Sequence, residues 1–206
     1  MKSMKMMDNF LSPDAGKWFE SESQFHLLYP AVLHSLARNH WTPLLVAQKA
    51  ANFLAAENGA RILDIGSGIG KFCLAAAYYK PNAFFYGIEQ RKDLVDYAEA
   101  ARQIVGLNNV SFRHGNITQI DFKNYDHFYF YNSFYENLVT AEKIDNSVTY
   151  SIELYNQYSS FLYRQLEKKP SGTRVATYHG MDDIMPPDYL EGGNDMNSLL
   201  KYWVKE

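Results

Sequence analysis

Cysteine is nearly absent from this chain. Cys73 stands alone among 206 residues, so the sequence offers no disulfide framework and no thiolate zinc site, and a reducing, cytoplasmic setting is expected. Long apolar runs are lacking too. No stretch reaches the roughly 18 residues of a membrane span, and the opening MKSMKMMDNF carries lysines without the apolar core of a secretory leader, so no membrane partner is expected. Neither sign of charge dominates, with 20 Lys and Arg against 23 Asp and Glu and a net charge of −3. The short basic clusters QRK (90–92) and EKK (167–169) sit beside acids and read as solvated helix faces, so no nucleic acid is expected as a partner. There is no fixed-period repeat and no low-complexity linker. What is present is 47% hydrophobic residues, enough for one sizeable core.

From about residue 42, apolar runs alternate with helical patterns, which predicts a parallel sheet with helices on both faces. TPLLVAQKAANFLAAENG sets Leu44, Leu45, Ala47, Ala51, Leu54 and Ala55 at helical spacing, with Thr42 as N-cap and Pro43 at the first helical position. ARILDIG reads as a strand, KFCLAAAYY as a helix, AFFYGIE as the second strand and KDLVDYAEAARQIVG as a helix ending at Gly106. NVSFRHGN and DHFYFYN follow as strands, SIELYNQYSSFLYRQLEKK as an amphipathic helix, and TRVATYHG as the fifth strand. In the tail, MPPDYLEGGN reads as a loop and LLKYWVK as a last strand or helix. The expectation is an α/β, Rossmann-like doubly wound, mostly parallel sheet of about six to seven strands. Residues 1–41 are expected to form an N-terminal helical lid or extension, and 42–206 the working domain.

RILDIGSGIGKF (61–72) places Gly66, Gly68 and Gly70 at every second position, as though something approaches that main chain closely. A strand, a glycine turn and a helix aim backbone N–H groups at a ligand, and Glu89, about 20 residues on, can accept both hydroxyls of a ribose. A dinucleotide calls for G-x-G-x-x-G, but the third glycine comes one residue early and Lys71 stands in its place, so NAD fits poorly. Asp64 would repel a pyrophosphate and suits an ammonium group. S-adenosylmethionine has a ribose, an amino acid and no phosphate.

LDIGSGIGKF resembles the first motif of class I S-adenosylmethionine-dependent methyltransferases, and FFYGIEQ their second. The resemblance implies donor contacts from Asp64, Gly66, Ser67, Gly68, Gly70, Glu89 and Gln90. HGNI (114–117) resembles the segment after the third strand, which implies that Asn116 bonds the adenine amino group and Ile117 packs on the ring. HWTPLLVA (40–47) resembles the upstream turn of amino-methylating members, which implies that Thr42 closes over the methionine carboxylate. YFYNSFYEN (129–137) resembles the N-P-P-Y/F box of amino methyltransferases. It is nearer still to the N-N-F segment of the non-SET histone lysine methyltransferases of the disruptor-of-telomeric-silencing family, whose DLGSG and GVEK motifs are similar to DIGSG and GIEQ here. Ser133 replaces the usual Pro or Asn.

That resemblance implies methyl transfer to an acceptor, an amine nitrogen of a small molecule or protein side chain. Asn132 would contact the donor and accept an N–H bond from the amine, Phe134 would pack on substrate or donor, and Glu136 would orient the amine or take a proton. The plainer readings are that Asn132 caps a turn, Phe134 is core and Glu136 faces a helix dipole. A non-catalytic module binding S-adenosylmethionine or S-adenosylhomocysteine is the alternative function. His26, His34 and His40 lack metal-ligand spacing, so no metal is expected. Tyr178 and His179 fall near the C-terminal edge of the sheet, where His179 is a base or a structural histidine. Trp18, Phe19, Phe25, Tyr29 and Trp41 suit either a lid or a core. After residue 180 only about 26 residues remain, tight for the antiparallel closing hairpin of the family, so a shortened edge is expected.

Overall fold

The computed structural model describes residues 15–138, 143–180 and 182–206; the opening MKSMKMMDNF lies outside the described residues. Two short helices, α1 (Glu22–His26) and α2 (Ala37–His40), precede α3 (Leu44–Leu54). Then come β1 (Arg61–Ile65), α4 (Lys71–Tyr79), β2 (Phe84–Glu89), α5 (Lys92–Val105), β3 (Val110–His114) and β4 (His127–Tyr131). The chain closes with α6 (Ile152–Glu167), β5 (Arg174–Tyr178), β6 (Tyr189–Asp195) and β7 (Leu200–Lys205). One sheet holds all seven strands in the order β3-β2-β1-β4-β5-β7-β6. β1 to β5 run parallel, and β7 lies antiparallel to both β5 and β6.

Strand periodicity sorts the apolar side chains into two cores. Ile62, Phe85, Tyr129 and Ala176 point into the layer shared with α3, α4 and α5. Their neighbours Leu63, Phe128, Phe130 and Val175 point into the layer covered by α6. Burial on both faces is why these strands are nearly continuous apolar runs instead of alternating ones. α5 stops at Gly106, which takes the left-handed conformation (φ 80°) that ends many helices. α6 starts at Ser151, whose hydroxyl accepts the Leu154 N–H. Among the described residues no helix is long and apolar enough to cross a membrane.

Two local expectations need correction. Thr42 does not cap α3: Pro43 holds the N-cap position, the helix begins at Leu44, and the Thr42 hydroxyl lies 3.1 Å from the Tyr129 phenol instead. The Leu44 N–H is capped by Glu22 at 2.7 Å, a partner from far upstream that no local pattern reveals. The tail is not a loop with a shortened edge. YLEGGND forms β6, bent by an irregularity between Glu191 and Gly193, and pairs with β7 in a full antiparallel hairpin. Its two glycines read as turn chemistry, whereas the ladder with β7 decides the strand.

The segment before α3 packs inward. Phe19, Phe25, Tyr29 and Trp41 join the same core as α3 and α4, Phe19 stacks on Tyr78 at 4.4 Å, and the Tyr29 phenol donates to the Ile69 carbonyl at 2.9 Å.

Candidate functional site

The order of the sheet reverses between β1 and β4, and a doubly wound sheet opens a crevice at that point beyond the carboxyl ends of its strands. The cleft found there is lined by Gly66 and Gly68 after β1, Glu89, Gln90 and Arg91 after β2, and Asn132 to Phe134 after β4. The three glycines of the turn serve different needs. A side chain at Gly70 would come within 2.5 Å of the Phe112 ring and 2.9 Å of Ala98. One at Gly66 would strike Ser133, 2.6 Å from its Oγ. Only at Gly68 (φ 53°) would a Cβ stand in open space. Close approach at Gly66 and Gly70 therefore includes the protein's own side chains, while Gly66 and Gly68 both face the cleft.

The acids sit where the glycine turn and β2 meet. Glu89 is buried, and its carboxylate accepts the Gly68 N–H at 3.1 Å and the Arg91 N–H at 2.9 Å. Burial pushes its pKa up, against the pull of those N–H groups and of the Arg91 charge. Asp64 is deeper, with the Cys73 thiol 3.6 Å away. Burial raises the Asp64 pKa to about 8, so the carboxyl holds its proton at neutral pH. Nearby, Ser67 Oγ is buried with no hydrogen-bond partner among the described residues.

Arg91 is the residue that sequence reasoning missed. Within QRK it reads as part of a solvated helix face, yet its side chain is only 4% exposed. It donates to Glu136 at 2.7 Å and to the Tyr150 phenol at 2.6 Å, with Asp145 at 3.3 Å. The remaining Glu136 oxygen accepts the Ile144 N–H at 2.7 Å. Both oxygens of Glu136 are thus engaged, one by Arg91 and one by the Ile144 N–H. The only available signal was the position of Arg91, two residues past Glu89.

Asn116 does double duty. Its carbonyl accepts the Thr118 N–H at 3.0 Å, while its amide nitrogen donates to Gln90 at 3.0 Å and Tyr158 at 2.8 Å. Ile117 is buried beside it in the cleft wall. Thr42 lies below, in a narrow recess with Asp64, Gly66, Ser67 and Lys71.

On the acceptor side, Phe134 packs against Phe130 at 5.0 Å and Tyr158 at 5.6 Å, so it belongs to the core and lines the cleft at once. Ser133 donates to the Ile65 carbonyl. Asn132 has a left-handed backbone (φ 46°) and borders both the cleft and a second, outer pocket lined by Arg38, His40, Tyr131, Tyr135 and His179. His179 also has positive φ (58°), and burial lowers its pKa.

Residues 56–174, more than half of the chain, match the family model described as a methyltransferase domain. The chain belongs to that family. Together with its sheet topology this makes it a class I S-adenosylmethionine-dependent methyltransferase. Among solved methyltransferases, magnesium protoporphyrin IX methyltransferase from Synechocystis PCC 6803 matches with TM-score 0.58 and 14% identity over 97% of this chain and 100% of that one. An RNA methyltransferase from Salinibacter ruber matches with TM-score 0.56 and 21% identity over 80% of this chain and 92% of that one. Such identities show a common fold.

A tRNA (guanine-N(7)-)-methyltransferase of Synechococcus sp. (strain JA-3-3Ab) is 49% identical over 55 residues, 27% of this chain and 23% of that protein. A release factor glutamine methyltransferase of Aliivibrio fischeri is 37% identical over 59 residues, 29% of this chain and 21% of that protein. The chain spans about a quarter of the length of the tRNA (guanine-N(7)-)-methyltransferases it matches. These names correct the expectation that nucleic acid is no partner. A net charge of −3 is a sum over the whole sequence, and methyltransferases named for tRNA and rRNA match 27% and 36% of this chain; net charge was too coarse a measure to exclude that class.

S-adenosylmethionine is the methyl donor of the methyltransferase, and the residues present fit it. Gly68 leaves open space beside the Glu89 carboxylate, Ser67 offers a buried hydroxyl without a partner among the described residues, and Asp64 is a buried acid hydrogen-bonded to the Cys73 thiol.

Proposed function

We propose that the donor is held with its ribose at Glu89 and its ammonium at Asp64, and that its methyl passes to a nitrogen aimed by Asn132. When bound, the donor supplies an electrophilic sulfonium methyl. The carrying observation is Asn132, whose side chain stands between cleft and outer pocket with no hydrogen bond to the described residues. It does not cap the following turn: Phe134 holds the N-cap position there, and Asn132 contributes only its backbone carbonyl, to the Tyr135 N–H at 2.9 Å. Asn tolerates a positive φ better than most residues, so this position can keep a neutral acceptor carbonyl fixed at the junction. A carbonyl orients an N–H without protonating the nitrogen lone pair, and catalysis rests on proximity and alignment.

The outer pocket supports a neutral nitrogen over a free ammonium. Arg38 lies in its wall, and the one acid there, Glu136, is already paired with Arg91. An exocyclic base nitrogen of RNA or a side-chain amide nitrogen of a protein meets that requirement and carries the N–H that Asn132 accepts, and the relative named for glutamine favours such an acceptor over a small amine; guanine N7, named in the tRNA relative, has no N–H for Asn132 to accept. Residues 15–41, the described part of the expected lid, would serve as the lid, since Asn39 and His40 reach the cleft mouth. Residence in the cytoplasm fits the one buried thiol.

The test is S-adenosylhomocysteine release across RNA, protein and small-amine acceptors. With the acceptor found, Asn132→Ala should leave donor affinity nearly intact and lower turnover by at least ~10²-fold, as for an orienting contact. Lower thermal stability with unchanged turnover would make Asn132 a structural residue and end the proposal.

A further inference from the structure

We propose that Arg91 is a positioning residue that couples donor binding to the acceptor wall by holding the Glu89 and Glu136 carboxylates on one buried guanidinium. This rests on the reading of Glu89 as the ribose-binding acid. Arg91 reaches three separate stretches of chain. Its Nη1 lies 3.6 Å from Glu89 at the end of β2, its Nη2 donates to Glu136 just past Asn132 at 2.7 Å, and its Nε faces Asp145 at 3.3 Å. The third stretch is then tied back to the second. Glu136 also accepts the Ile144 N–H, Asp145 accepts the Ser147 N–H at 2.8 Å, and Tyr150, which receives from Arg91, donates to the Asp145 carbonyl at 2.7 Å.

Three carboxylates face one cation in a half-closed space, so each depends on the guanidinium to offset its repulsion of the others. Donor hydroxyls bonding Glu89 share its carboxylate charge with Arg91, whose N–H and Nη1 both face Oε1. Any change in the hold on Glu89 is therefore felt at Glu136, and through it at the segment that carries Asn132. A lysine cannot substitute fully, because one ammonium lacks the planar fork that meets partners on several sides.

A double-mutant cycle read by S-adenosylhomocysteine affinity tests this on the full chain without knowledge of the acceptor. Arg91→Met should weaken binding by ~10-fold or more, with Arg91→Lys between it and the wild type, a size typical of coupled sites. Glu136→Gln should change affinity several-fold when Arg91 is present and have little effect in the Arg91→Lys protein. Additive effects of the two substitutions would overturn the proposal, and so would a folded Arg91→Lys protein with wild-type affinity. Amide exchange at Ile144, taken relative to a sheet amide remote from the cleft such as Val204, supplies a local readout: S-adenosylhomocysteine should slow Ile144 beyond the change at Val204 in the wild type and not in Arg91→Lys. Equal slowing in both would also overturn the coupling. Glu89→Gln separates the layers. If it leaves affinity unchanged, the donor-site reading itself falls; if it weakens binding while Arg91 and Glu136 act additively, only the coupling falls.

Discussion

Asp64 is the residue whose environment most changes its chemistry. Its pKa rises from 3.8 to about 8 because burial disfavours the charge. Between those values the folded carboxyl keeps a proton that the unfolded one has released, so its contribution to stability is lost as pH rises from about 4 to about 8 and is constant above. Asp64→Asn should flatten that slope in thermal melts of the donor-free protein. An ammonium beside Asp64 reverses the preference, favouring the carboxylate. Donor affinity should therefore increase with pH between about 6 and 7.5, by up to ~10-fold per unit, and calorimetry on Asp64→Asn should show that dependence gone.

At the scale of the element, the turn after β1 shows what spacing can and cannot say. The alternation of Gly66, Gly68 and Gly70 was legible as close approach, but only the neighbouring strands and helix reveal what approaches. Gly70→Ala should cost ~2 kcal/mol or more by chemical denaturation, since its Cβ would overlap Phe112 and Ala98 at a left-handed backbone position. Gly68→Ala should cost about 1 kcal/mol of stability from backbone strain alone, yet weaken S-adenosylhomocysteine binding in calorimetry more than Gly70→Ala does. If Gly68→Ala leaves binding intact, the donor lies elsewhere.

Across the whole molecule, the chain before α3 is fastened to the glycine turn by Glu22. This one carboxylate caps the Leu44 N–H and pairs with Lys71, whose side chain is buried near Phe25 and Trp41. Burial lowers the Lys71 pKa, and the hydrogen bond and charge of Glu22 offset only part of that. Glu22→Ala should destabilise by about 1–3 kcal/mol, leaving a buried ammonium unpaired; the effect stays below that of a fully buried pair because Glu22 is half exposed. Denaturant titration checks the value. Limited proteolysis of the same variant should show residues 15–41 cut before the sheet domain if this pairing fastens the segment.

The sequence by itself determined the alternation of strands and helices up to β5, the left-handed end of α5 at Gly106, and the family, because periodicity, caps and a contiguous strand-turn-helix motif are all encoded within a few residues of one another. It also brought Glu89 and Asn132 into view, since each follows directly from a strand end. Only the tertiary structure decided the rest. Glu22 capping α3, β6 pairing with β7, and Arg91 gathering Glu89, Glu136 and Asp145 are contacts between distant segments. A charged residue has no pattern that tells a buried hub from a solvated face: Arg91 and Lys92 are adjacent in the chain, one 4% exposed and the other 68%. Burial is set by what the remainder of the chain places over a residue, and that information exists only in the folded protein.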